Sequence, residues 1–198
     1  MTLQLALFPL SQMILHGGRM RLRIFEPRYQ RLVREAAADK RPFASALLNP
    51  YVAAQHPDRI CTIATLVHII DFTQLEDGLL GITIEGKSRV KIIERWQEPD
   101  QLHIANVELL DDWPMLPLDE NYTAIKQALE HVYQDNPELA SLYHDQGSIT
   151  DAAALAKRWL EILTIPAPLK QQLHNATSAE PALAVLAQWL ADEADTTN

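Results

Sequence analysis

Residues Asp77–Ile92 read "DGLLGITIEGKSRVKI", and the fold turns on how that stretch is read. Its middle, Gly81–Ser88, matches the nucleotide-cradling pattern G-x-x-x-x-G-K-[ST] at every fixed position. Such a cradle is a flexible turn placed after a strand and before a helix, so that backbone N–H groups curl around phosphates. The four variable positions here are Ile82, Thr83, Ile84 and Glu85. Three of them are β-branched, which stiffens an extended chain, and the Glu85 carboxylate would face a phosphate with negative charge. Glu76-Asp77-Gly78 reads as the turn of a hairpin. The stretch is therefore expected to be a hairpin strand, with Gly81 a strand irregularity, Gly86 a turn, Lys87 and Arg89 solvated and no cofactor bound.

Working outward, the hairpin has β-rich neighbours. "ICTIATLVHIIDFTQL" before it is dense in β-branched residues, and "LHIANVELL" (102–110) after it gives a last strand. Towards the N-terminus, "LQLALF" (3–8), "RMRLRIF" (19–25) and "FASALL" (43–48) have strand character. In the second of these, Arg19, Arg21 and Arg23 share one face, and Met20, Leu22 and Ile24 the other. One helix interrupts the strands. Pro27 suits a first helical turn, and Tyr29, Leu32, Val33 and Ala36 follow as one buried stripe.

"DDWPMLPLDE" (111–120) breaks this pattern with Pro114 and Pro117, and helical periods follow. Tyr122, Ile125, Leu129, Val132 and Tyr133 form one stripe. Ala154, Leu155, Trp159, Ile162 and Leu163 form a second, ended by Pro166, and Leu183, Leu186, Ala187 and Leu190 a third. Only "DEADTTN" (192–198) looks frayed. The reading is an α+β chain: a mainly-β domain with one early helix over 1–112, then a helical bundle over 118–195.

Charge divides at nearly the same place. The net charge is −9 over 198 residues. Residues 1–110 hold 13 Lys+Arg against 12 Asp+Glu, and residues 111–198 hold 4 against 14, so the helical half carries −10. That half argues against wrapping a nucleic acid, which is bound mostly through Lys and Arg. Cys61 is the sole cysteine, so no intrachain disulfide forms, and a reducing compartment is natural. No signal peptide and no apolar run of spanning length is visible, and a cytoplasmic protein is expected.

Three passages together resemble a known family, the N-terminal substrate-recognition domain of Lon proteases, in its stand-alone bacterial form. "LALFPLSQMILHGGRMRLRIFEPRYQRLV" (5–33) looks like the family's opening: a strand ending in Phe8-Pro9-Leu10, a glycine loop, a second strand, then Glu26-Pro27-Arg28-Tyr29 leading into a helix. Asp77–Ile92 is similar to its hairpin and its G-x-x-R phrase, here Gly86 to Arg89. "LAKRWLEILTIPAPLKQQLHNATSAEPALAVL" (155–186) is similar to its helical region. His16 departs from a usual proline, and Pro181-Ala182-Leu183 from a charged helix start. The resemblance implies a PUA-like pseudo-barrel followed by a helical bundle. It also implies recognition without catalysis, since the ATPase and Ser-Lys protease modules of complete Lon lie downstream of this region.

Other chemistry finds little support. The seven histidines form no H-x-H or H-E-x-x-H pattern, and Cys61 with His68 makes no metal site. No G-x-S-x-G elbow suggests a hydrolase. Arg19, Arg21 and Arg23, near Arg28, Arg31 and Arg34, are a candidate basic surface, read first as a solvated face because no aromatics interleave with them. Glu26 is expected to pair with an arginine, Arg89 first, through a bidentate bond. The leading expectation is a module that binds unfolded or exposed polypeptide segments or a partner protein, without cofactor or membrane. The alternatives are an RNA-binding protein using the barrel and the arginine strand, and a hydrolase with an unrecognised site.

Overall fold

The computed structural model describes residues 2–39, 41–143, 149 and 151–196, with side chains through Asp192. Six strands form one sheet: β1 (Thr2–Leu10), β2 (Arg19–Ile24), β3 (Phe43–Leu48), β4 (Ile60–Gln74), β5 (Leu80–Gln97) and β6 (His103–Leu109). Their order is β2-β5-β4-β3-β1-β6, and a further β5–β6 pairing closes five of them into a barrel. β1 and β3 run parallel and the other pairs antiparallel. β5 performs the closure because it is 18 residues long. Its first part pairs with β2, Arg19 opposite Glu85, and its last part with β6, Val90 opposite Leu109. The register shifts against β4 between Thr65 and Val67, opposite Gly86–Arg89, and such bulges bend a strand into a barrel wall.

The hairpin holds and the cradle is absent: Gly81–Ser88 runs as strand throughout, and Gly81 pairs in regular register with Arg23 and Thr73 instead of marking an irregularity. Gly78 takes φ +80° at the turn, and its N–H donates to the Leu75 carbonyl at 2.8 Å. Gly86 requires a correction. It lies inside β5, where its carbonyl accepts from Gly17 N and its N–H donates to Gly18 O, each at 2.9 Å. Glycine is needed there because the 11–18 loop lies directly on the strand, not because the chain turns.

Alternate residues of the same strands feed opposite faces. Leu7, Ala44, Ala64, Val90, Ala105 and Val107 belong to one apolar cluster, while Phe8, Phe43, Val67, Ile82, Ile84 and Ile104 belong to a second. The helix α1 (Pro27–Asp39) lays Tyr29, Leu32 and Val33 on that second face.

Five further helices follow: α2 (Thr123–Asp135), α3 (Pro137–Ser141), α4 (Ala152–Ile162), α5 (Ala167–Asn175) and α6 (Glu180–Thr196). α4 is the central one. Asp151 caps it by accepting from Ala153 N and Ala154 N, and Leu155, Trp159 and Leu160 are buried among the other helices. It stops at Ile162, and Pro166 is the N-cap residue of α5. α6 continues through most of the tail expected to fray, and Thr197 and Asn198 lie outside the described residues. The helical core also takes in Met13, Leu15, Leu47, Cys61 and Trp113, so the barrel, its 11–18 loop and the connector share it. Among the described residues no helix is long and apolar enough to cross a membrane.

Candidate functional site

A groove of about 880 Å³ opens between the end of β1, the β2–α1 corner, the loop preceding β4, and the β5–β6 end. Its floor is aromatic. Phe8 stacks on Tyr29 with ring centres 4.0 Å apart, Phe43 lies 6.2 Å from Phe8, and the Arg28 guanidinium covers the Tyr29 ring at 4.8 Å. Burial, first, raises the Tyr29 phenol pKa, so it stays protonated. The α1 entrance is fixed by the Glu26 carbonyl, which accepts from Tyr29 N and Gln30 N at 3.0 Å each. Phe25, just before it, is 62% exposed and lines the groove.

The expected motif residues thus divide into two groups. Phe8, Pro9, Leu10, Glu26, Arg28 and Tyr29 converge on the groove, and Pro27 opens the helix beside it. Gly86 and Arg89 lie elsewhere, where the sheet meets the helices. The anticipated Glu26–Arg89 pair does not form: Glu26 meets Arg28 at 2.6 Å. Arg89 is buried rather than solvated, and it donates through Nη1 to His174 O (2.5 Å) and Ala176 O (2.8 Å), and through Nε and Nη2 to Asp111 O. Chain ends of helices and loops leave carbonyls unsatisfied, and one guanidinium satisfies three of them. The Trp113 indole also donates to Ala176 O at 2.9 Å.

The β2 arginines bind within the fold. Arg19 Nε meets Glu85 at 2.9 Å and its Nη1 donates to Leu142 O at 3.1 Å. Arg21 donates to Ser141 Oγ, and Arg23 pairs with Asp77. They tie the edge strand to α3 and to the hairpin tip. A second buried network was invisible in the sequence. Glu161 accepts from Leu15 N at 2.6 Å and from Arg158 Nη2 at 3.1 Å, and Arg158 donates to His16 O at 2.9 Å. Among the described residues, no group of three His, Cys, Asp or Glu could hold a metal ion.

The sequence reading also missed Phe25, Arg59, Arg95 and His103, all of which line the groove. Phe25 had a usable signal, since it continues the odd-numbered exposed face of the β2 arginines. The other three come from separate segments. Burial, then Arg95 and Arg28, lowers the His103 pKa and keeps it neutral.

Residues 4–192 match the sequence model of the substrate-binding domain of the ATP-dependent protease La (LON). The chain belongs to this Lon substrate-binding family. A Lon N-terminal domain protein from Xanthomonas campestris superposes with a TM-score of 0.71 at 24% identity, over 94% of this chain and 98% of that one. The N-terminal domain of the Mycobacterium avium complex Lon protease gives 0.64 at 17% identity, over 96% and 98%. These likenesses establish the fold as that of Lon N-terminal domains. No curated protein sequence matches the chain. In this Lon-family domain, then, the recognisable opening phrases of the sequence meet in space as the floor and one wall of a single groove.

Proposed function

We propose that the chain is a non-catalytic recognition module whose groove holds exposed apolar segments of other polypeptides in extended form. The observation that carries this reading is Phe25, an aromatic side chain left 62% exposed on the wall of a large groove with a stacked aromatic floor. Exposed aromatics over a packed floor are what apolar segments dock against, and a wide groove suits chains of varied sequence. Membership in a substrate-binding family supports it. In this proposal the barrel part, 1–112, carries the groove, the helical part, 118–195, braces the barrel, and the protein works in the cytoplasm.

The test is binding of a reduced, carboxymethylated unfolded protein to Phe25→Ser. The proposal expects at least a fivefold loss, about the worth of one apolar side chain. Met115→Ser, which alters an exposed residue away from the groove, should bind as the parent does. Equal losses in both variants, or in neither, would refute the assignment of the groove.

A further inference from the structure

The groove carries positive charge that the fold leaves uncancelled. Four arginines line it, and two of them meet carboxylates: Arg28 pairs with Glu26, and Arg23 with Asp77. The other two are held by neutral carbonyls. Arg59 Nη1 donates to Asn49 O (2.8 Å) and Val52 O (3.2 Å), and Arg95 Nη2 donates to Pro57 O at 2.6 Å. A carbonyl fixes a guanidinium in place without neutralising it, and each guanidinium has further N–H donors to offer. Among the described residues that line the groove, Glu26 is the only carboxylate. Of the carboxylates adjacent in sequence to the two arginines, Glu94 accepts from Asn106 at 3.2 Å, and Asp58 lies 3.7 Å from His56, itself a lining residue. In the same groove, Leu10, Leu48 and Phe25 supply apolar wall.

Resting on the polypeptide reading of this groove, we infer that its preferred occupant is an extended segment carrying carboxylates next to apolar or aromatic side chains. Arg59 and Arg95 meet the carboxylates through charge-assisted hydrogen bonds, and Phe25 and its neighbours take the apolar groups. The number of free charges separates this occupant from a nucleic acid. A continuous phosphate backbone is held by many released counterions, and two uncompensated arginines in a chain whose helical half carries −10 do not supply them. One or two carboxylates match two guanidinium groups. Because both arginines are anchored before any ligand arrives, little side-chain entropy is lost on binding.

The test uses short fluorescein-labelled peptides that share their Leu and Phe positions and differ elsewhere, carrying Ser, Glu or Lys, together with an oligouridine, all measured by anisotropy against the full chain. The Glu peptide should bind about fivefold tighter than the Ser peptide at low salt, the worth of one to two surface charge pairs. That advantage should vanish by about 0.5 M salt. Arg95→Gln keeps an amide donor for the Pro57 carbonyl and should remove most of the advantage while leaving the Ser peptide unchanged. The salt titration of the parent protein stands even if that variant folds poorly. Equal binding of Ser, Glu and Lys peptides would overturn the charge inference and leave the polypeptide reading intact. Binding of none would overturn the polypeptide reading itself. Displacement of the Glu peptide by oligouridine at matching concentration would make the occupant a nucleic acid and overturn the inference.

Discussion

A β-carbon on Gly86 would lie 2.0 Å from the carbonyl oxygen of Leu15. That approach is how the 11–18 loop docks on β5, since Gly17 and Gly18 exchange hydrogen bonds with Gly86 at the same place. The atom met is backbone, so it cannot rotate away. Gly86→Ala is expected to cost about 1–3 kcal/mol in urea unfolding, as overpacking of a tight site does. A stability change within about 0.5 kcal/mol would show that the loop yields freely and that the contact is unimportant.

Arg89 and Glu26, expected as partners, separate in their predicted effects. Arg89→Met leaves the carbonyls of Asp111, His174 and Ala176 without this donor in a buried place, and should cost at least about 2 kcal/mol. Glu26→Gln removes only a partly exposed pair with Arg28 and should cost under about 1 kcal/mol. Chemical denaturation of both variants decides the matter. Similar large losses in the two would restore the pairing that the geometry excludes.

These residues show what a sequence can reveal. Strand alternation at Arg19–Ile24 and the helix stripe from Tyr29 to Ala36 are local and periodic, so both elements were readable before the fold was known. Gly86 was recognised as necessary but for the wrong reason, because glycine marks turns and close approaches alike. Arg89 was expected to meet Glu26, but its partners are main-chain carbonyls, which no residue letter marks. The groove was half legible. Phe8-Pro9-Leu10 and Glu26–Tyr29 were singled out, whereas Arg59, Arg95 and His103 reach the same groove only through the long pairing of β5 with β4 and β6.

His174 predicts a pH dependence. It is 2% exposed, neither ring nitrogen has a partner among the described residues, and burial, then the Arg89 charge, holds its pKa down to about 3. Unfolded, the imidazole titrates near 6.5, so below that value the unfolded state binds the extra proton. Its contribution is therefore present above pH 6.5 and lost as pH falls towards 3, at no more than about 1.4 kcal/mol per pH unit. Glu161 works in the opposite direction, since burial, opposed first by Arg158, raises its pKa to about 7 and favours the folded state as pH falls from 7 towards 4.5. Comparing the parent with His174→Gln cancels the Glu161 contribution. The variant should show a flatter loss of stability between pH 6.5 and 4 in denaturant titrations, and parallel curves would contradict the assignment.

Lys87 tests the rejected cradle. Its ammonium pairs with Glu85 on the same strand, and Gly81–Ser88 never leaves β5. Titration calorimetry with Mg-ATP should give no binding heat at millimolar nucleotide. Lys87→Ala should change stability by less than about 0.5 kcal/mol, as ordinary surface substitutions do. Saturable heat abolished by that substitution would reinstate nucleotide binding.

The central claim is that the groove bounded by the β2–α1 corner and the β5–β6 end is where polypeptide binds. The most direct measurement is backbone NMR of the labelled protein titrated with a reduced, carboxymethylated unfolded chain. The account predicts dose-dependent shifts centred on Phe25, Arg28, Arg59, Arg95 and His103, with α2 and α6 unchanged. Shifts confined to the helices, or none at saturating polypeptide, would contradict it.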